Sequence, residues 1–126
     1  MDKRINNMTI QEKIGQMIMV GIDGTTITER MKKLILEYKV GGVILYKRNY
    51  NNYDELVKII CELKNLNKNN KFPLLIAIDQ EGGRVNRLPK EIKNLPSAKL
   101  LSETKDLKIV EKAADITAKI LSKARY

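Results

Sequence analysis

An α/β fold with parallel strands is what this sequence predicts, and three observations lead there. Short apolar runs, "IGQMIMVGI" at 14–22, "GVILY" at 42–46 and "LLIAID" at 74–79, carry too little polarity for strands with one wet face. Helix-length segments separate them, with apolar residues recurring every three or four positions. The resulting order, β-α-β-α-β-α without a linker, suits parallel pairing with right-handed crossovers in a sheet or barrel.

Each element has a local cause. "TIQE", Thr9 to Glu12, is a capping-box sequence that starts a short helix, and the run 14–22 following it reads as a buried first strand. "DGTT" is then a turn. Thr26 to Glu29 repeats the capping pattern, and Met31, Leu34, Ile35 and Tyr38 mark a helix over 27–38. The second strand occupies 42–46. After the polar stretch "KRNYNNYDE", Leu56, Ile59, Ile60 and Leu63 mark a second helix, and Pro73 starts the third strand. Residues 80–105 read as loop. Leu107, Val110, Ala114, Thr117, Leu121 and Ala124 then mark a third helix, which runs to the last residue and lacks a cap or terminating glycine.

An open sheet of three parallel strands exposes an edge and much of a helix face, so the chain is expected to be part of a larger object. Self-association through such an edge is a further expectation.

Composition narrows the function. The 126 residues carry a formal charge of +9, yet the lysines are spread over every helical segment. The basic stripe with interleaved aromatics that nucleic-acid surfaces use is missing, so no nucleic-acid role is predicted. Cys61 is alone, which excludes an intramolecular disulfide and a cysteine metal site. No run approaches the ~20 apolar residues of a membrane span, and "MDKRINNMTIQEK" lacks the apolar core of a secretion signal. A reducing cytoplasm is the expected compartment.

In parallel α/β folds the ligand site lies at the carboxyl ends of the strands, and Asp79 stands at that point of the third. A carboxylate there costs several kcal/mol if buried unpaired, so it must be hydrated, ion-paired or turned to a ligand. Arg84 and Arg87 are the nearby cations. Asp79, Glu81, Arg84 and Arg87 could form a salt-bridged clamp that only holds the loop, or part of them could face a ligand. Gly82 and Gly83 suit either, since they allow positive φ and close backbone approach. Lys47, Arg48 and Asn49, after the second strand, read as a solvated polar cluster.

The ordered set "EKIGQMIMVGIDG", "VGGVILYKRN", "PLLIAIDQEGGRVNRLP" and "LPSA" resembles glycoside hydrolase family 3, in its β-N-acetylhexosaminidase branch, from about Met8 to the end. The resemblance implies a (β/α)8 barrel of TIM type, of which residues 1–126 would supply the first three βα units as an incomplete N-terminal portion. It implies removal of terminal β-linked N-acetylglucosamine by a retaining route through a glycosyl-enzyme intermediate, and suggests peptidoglycan recycling. Members use an Asp/His pair for proton transfer and a nucleophilic Asp further downstream. This chain has no histidine, so no catalytic residue is assigned to it. By the same resemblance Asp79 would accept from sugar hydroxyls and Arg87 would donate to the same sugar, with Glu81, Gly82, Gly83 and Arg84 supporting the loop. The partner implied is an N-acetylglucosamine-containing glycan, with no metal or organic cofactor.

Overall fold

The computed structural model describes residues 3–126. After a single turn, α1 (Lys3–Asn6), the Thr9 hydroxyl accepts the Glu12 N–H at 3.1 Å and the Thr9 N–H donates to Glu12 Oε2 at 2.8 Å. This capping box starts α2 (Ile10–Gln16). The Thr9 N–H, with help from Lys71, holds the Glu12 carboxyl below the usual carboxylate range.

The run 14–22 is divided rather than extended throughout. Its first residues complete α2, and β1 is only Met19–Gly21. An apolar run alone does not separate helix from buried strand, and here the Thr9 cap had already committed the chain to a helix. The two halves join where backbones touch: the Gly41 N–H donates to Gly15 O and Ile18 O at 2.9 and 3.0 Å. A Cβ on Gly15 would lie 1.9 Å from the Tyr38 carbonyl oxygen, and one on Gly41 2.2 Å from that of Gln16. Only glycine permits that approach.

Helix α3 (Glu29–Leu36) is capped by Thr28, whose hydroxyl accepts from the Met31 N–H, and not by Thr26. It ends before Tyr38, which is exposed. Strand β2 (Gly42–Leu45) leads through a 3-10 turn (Lys47–Asn49) to α4 (Tyr53–Asn67), capped by Asn52. Strand β3 (Leu75–Ile78) begins two residues after Pro73.

The predicted loop 80–105 contains a further helix, α5 (Ala98–Glu103), whose Ser97 cap accepts from the Leu100 N–H. Helix α6 (Leu107–Lys123) does not continue to the last residue. The Arg125 N–H bonds to Ser122 O and the Tyr126 N–H to Leu121 O, with Arg125 at φ 68°. That is a Schellman ending with arginine where glycine is usual, so the terminus has a cap that the residue types did not signal.

The three strands are parallel in the order β1-β2-β3, pairing Val20 with Val43, Val43 with Ile76 and Leu45 with Ile78. Side chains alternate across a strand, so these residues share one face. That face packs on Ile35, Leu56, Ile60 and Leu63 of α3 and α4 to form the core. The opposite face and both edges are open: Met19 is 44% and Leu75 63% exposed. Burial on both sides, expected of all three strands, is therefore not met, because helices cover one side only. Among the described residues no helix is long and apolar enough to cross a membrane.

Candidate functional site

Parallel strands bring their carboxyl ends to one side, and three loops meet there. The central peg is Asn49, 1% exposed rather than solvated. Its Nδ2 donates to Ile22 O at 2.9 Å and Gly24 O at 2.7 Å, while its Oδ1 accepts the Tyr46 N–H at 2.7 Å. One amide thus ties the loop after β1 to the loop after β2. Lys47 and Arg48 remain exposed, with the Arg48 guanidinium 4.7 Å from the centre of the Tyr46 ring.

Asp79 directly follows β3, and its side chain is 45% exposed. Arg87, on the loop that returns over it, is 29% exposed and places Nη2 3.4 Å from Asp79 Oδ2. Charge-assisted bonds of this type close to about 2.7–2.9 Å, so the pair is loose. Both groups keep capacity for an incoming polar molecule: two acceptor oxygens on Asp79 and the planar donor fork of Arg87. The Arg87 backbone is held closely, its N–H donating to Gln80 Oε1 at 2.8 Å and its carbonyl accepting from Tyr50 Oη at 2.7 Å.

The four-charge clamp does not form. Glu81 and Arg84 are exposed, and their side chains make no ion pair or hydrogen bond among the described residues. The turn is held instead by the Glu81 and Gly82 N–H groups, which share Val85 O at 3.0 and 3.1 Å. Gly82 and Gly83 have φ of 80° and 57°. A Cβ on Gly82 would lie 2.4 Å from Pro96 O, and one on Gly83 2.7 Å from Ser97 Cβ. These glycines let the turn lie on segment 95–97, with the Gly83 N–H bonded to Leu95 O and Asn94 Nδ2 to Gly83 O.

Three residues of the site escape a reading of the sequence. Asn49 resembles any loop asparagine, Gln80 any polar neighbour of an aspartate, and Tyr50 any loop aromatic. Their roles lie in contacts between loops. The local hint for Asn49 is its place three residues after Tyr46, at the end of the 3-10 turn, where a side-chain amide can reach back to the Tyr46 N–H.

Behind Tyr50 stands Tyr126, whose hydroxyl is buried. Burial pushes both phenols above their ordinary value; the Tyr50 neighbour adds to this for Tyr126, whereas Tyr126 and Arg87 partly offset it for Tyr50. Each therefore holds its proton more firmly folded than unfolded, where a phenol titrates near 10. Stability owed to them is complete below about pH 10 and is lost as pH rises beyond it. Urea midpoints are expected to fall above about pH 10, and the double replacement Tyr50→Phe, Tyr126→Phe to reduce that fall; equal slopes in both proteins would contradict the assignment.

A family profile described as the N-terminal domain of glycosyl hydrolase family 3 matches residues 9–124. A β-hexosaminidase of Nitrosomonas eutropha is 40% identical over 89 residues, 71% of this chain and 25% of that protein. Among solved structures, a family 3 β-N-acetylglucosaminidase from Paenibacillus sp. superposes with a TM-score of 0.79 at 35% identity, covering 85% of this chain and 20% of that one. NagZ from Neisseria gonorrhoeae, solved with N-trifluoroacetyl-D-glucosamine, gives a TM-score of 0.63 at 33% identity, covering 76% of this chain and 27% of that one. The chain spans about a quarter of the length of the curated relatives it matches.

Proposed function

Since this chain belongs to glycoside hydrolase family 3, with an α/β fold of the TIM-barrel type, we propose that residues 1–126 are the first three βα units of a β-N-acetylhexosaminidase barrel and form one wall of its sugar site. The reaction is hydrolysis of terminal β-linked N-acetylglucosamine with retention. In this reading Asp79 accepts from hydroxyls of the terminal sugar and Arg87 donates to it. The observation that carries the proposal is the loose Asp79–Arg87 pair, half-exposed at the carboxyl end of β3.

Retaining hydrolysis needs a nucleophilic carboxylate and a proton shuttle on either side of the scissile bond. With no histidine in the chain, the Asp/His shuttle and the nucleophile are assigned to sequence outside these 126 residues. The substrate is an N-acetylglucosamine-containing glycan, with cytoplasmic peptidoglycan recycling as the setting. A second reading, a non-catalytic sugar-binding or scaffold fragment that associates to complete its barrel, draws on the open edges at Met19 and Leu75.

The test is hydrolysis of a chromogenic β-N-acetylglucosaminide by the 126-residue chain and by the same chain continued through a full barrel, with sedimentation of each. Turnover confined to the continued protein, which stays monomeric, is the expected result. Turnover by the short chain would overturn the placement of the catalytic groups. An inactive continued protein, with a short chain that forms a defined oligomer and binds the sugar, would favour the second reading.

A further inference from the structure

Arg87 lies where the loop has little structure of its own: among the described residues, 86–88 make no backbone-to-backbone hydrogen bond. Its peptide groups are held by two side chains from different loops. Gln80 Oε1 takes the N–H at 2.8 Å, and Tyr50 Oη, 37 residues away in sequence, donates to the carbonyl at 2.7 Å. Tyr50 is 4% exposed and belongs to the hydrophobic core, with Tyr126 packed against the same core. The guanidinium itself is only weakly restrained, with Asp79 at 3.4 Å and a buried Nε that has no partner. The peptide groups are therefore the firmly held part of Arg87.

We propose that Tyr50 is a positioning residue for sugar recognition: its hydroxyl, opposite the Gln80 amide, locks the Arg87 peptide so that the guanidinium is already turned toward Asp79 when the sugar arrives. This rests on the reading of Arg87 as a sugar ligand. Arranging a donor before binding spares the ligand the cost of ordering it. Tyr50→Phe tests the idea cleanly, because the ring stays in the core and only the donor is removed.

The experiment is 15N NMR of the barrel that contains this chain, following the order of the Arg87 Nε–H and the shifts produced by added N-acetylglucosamine. In Tyr50→Phe the Arg87 side chain is expected to become mobile while amide dispersion elsewhere is kept. Sugar affinity is expected to fall about three- to tenfold, the worth of one hydrogen bond. Combining Tyr50→Phe with Arg87→Ala should cost no more than Arg87→Ala alone, a non-additivity that a merely structural role would not produce.

An Arg87 Nε–H as ordered in Tyr50→Phe as in the parent overturns the proposal. Affinity lost in Arg87→Ala but intact in Tyr50→Phe overturns the role of Tyr50 and leaves the Arg87 reading standing. Sugar shifts absent from the parent, or unchanged in Arg87→Ala, overturn the Arg87 reading and with it the sugar role of Tyr50. Gln80→Leu removes the opposite hold and is read in the same way, so a poorly folded Tyr50→Phe does not end the test.

Discussion

Asp79→Asn and Arg87→Ala, introduced separately into the barrel that contains this chain, are each expected to lower kcat/KM for a β-N-acetylglucosaminide by a factor of about 30 or more, or about 2 kcal/mol of transition-state stabilisation. The carboxylate offers two acceptors to a diol, and the amide replaces one of them with a donor. Removing the guanidinium deletes donors and leaves Asp79 without its cation at 3.4 Å. The melting temperature should move little, because the pair is loose and half-exposed and such ion pairs contribute about 0–1 kcal/mol. Sugar affinity and turnover unchanged in both variants would remove Asp79 and Arg87 from the site. A fall in turnover matched by a fall in stability would instead assign them to holding the loop.

Asn49→Asp should have the largest effect on folding, about 3–5 kcal/mol, the range found when a buried charge is left uncompensated. The replacement has the same shape. What changes is that Nδ2, which donates to Ile22 O and Gly24 O, becomes an oxygen facing two carbonyls. Against a total stability of typically 5–15 kcal/mol for a single domain, that loss removes much of the margin. The cost also has a pH signature. The introduced carboxyl would have a folded pKa above its unfolded value near 4, so the penalty is complete above the folded pKa and shrinks as pH falls through it. Urea denaturation at neutral pH and near pH 4 reads both effects. A variant within about 1 kcal/mol of the parent at neutral pH would show that the tether between the first two loops carries little weight.

How much of this could be read from the chain depends on how local each cause is. The box Thr9–Glu12 acts within four residues, and it forms as its sequence predicts. The stripe Leu56, Ile59, Ile60, Leu63 likewise identifies α4 and its buried face. Failures came where two local signals competed. Residues 14–22 form one largely apolar run, yet 14–16 complete a helix begun at Ile10. Ser97 caps α5 inside a stretch whose prolines and glycines read as loop.

The site divides in the same way. Asp79 is legible because a carboxylate at the end of an apolar strand has to be explained, and Arg87 was singled out only through the family resemblance. Asn49, Tyr50 and Gln80 were not legible, since what they do is bond to atoms of other loops.

By itself the sequence determined the alternation of strands and helices, the family, and the position of the carboxylate at the strand end, because each rests on neighbours along the chain or on a long specific string. Only the tertiary structure decided that Asn49 ties two loops, that Tyr50 holds the Arg87 carbonyl, that Glu81 and Arg84 take no part in a clamp, and that the sheet is covered on one face alone. Those outcomes depend on which backbone carbonyls and side chains are brought together by packing β1, β2 and β3 against α3 and α4. A hydrogen bond between residues 37 apart forms only once that packing exists.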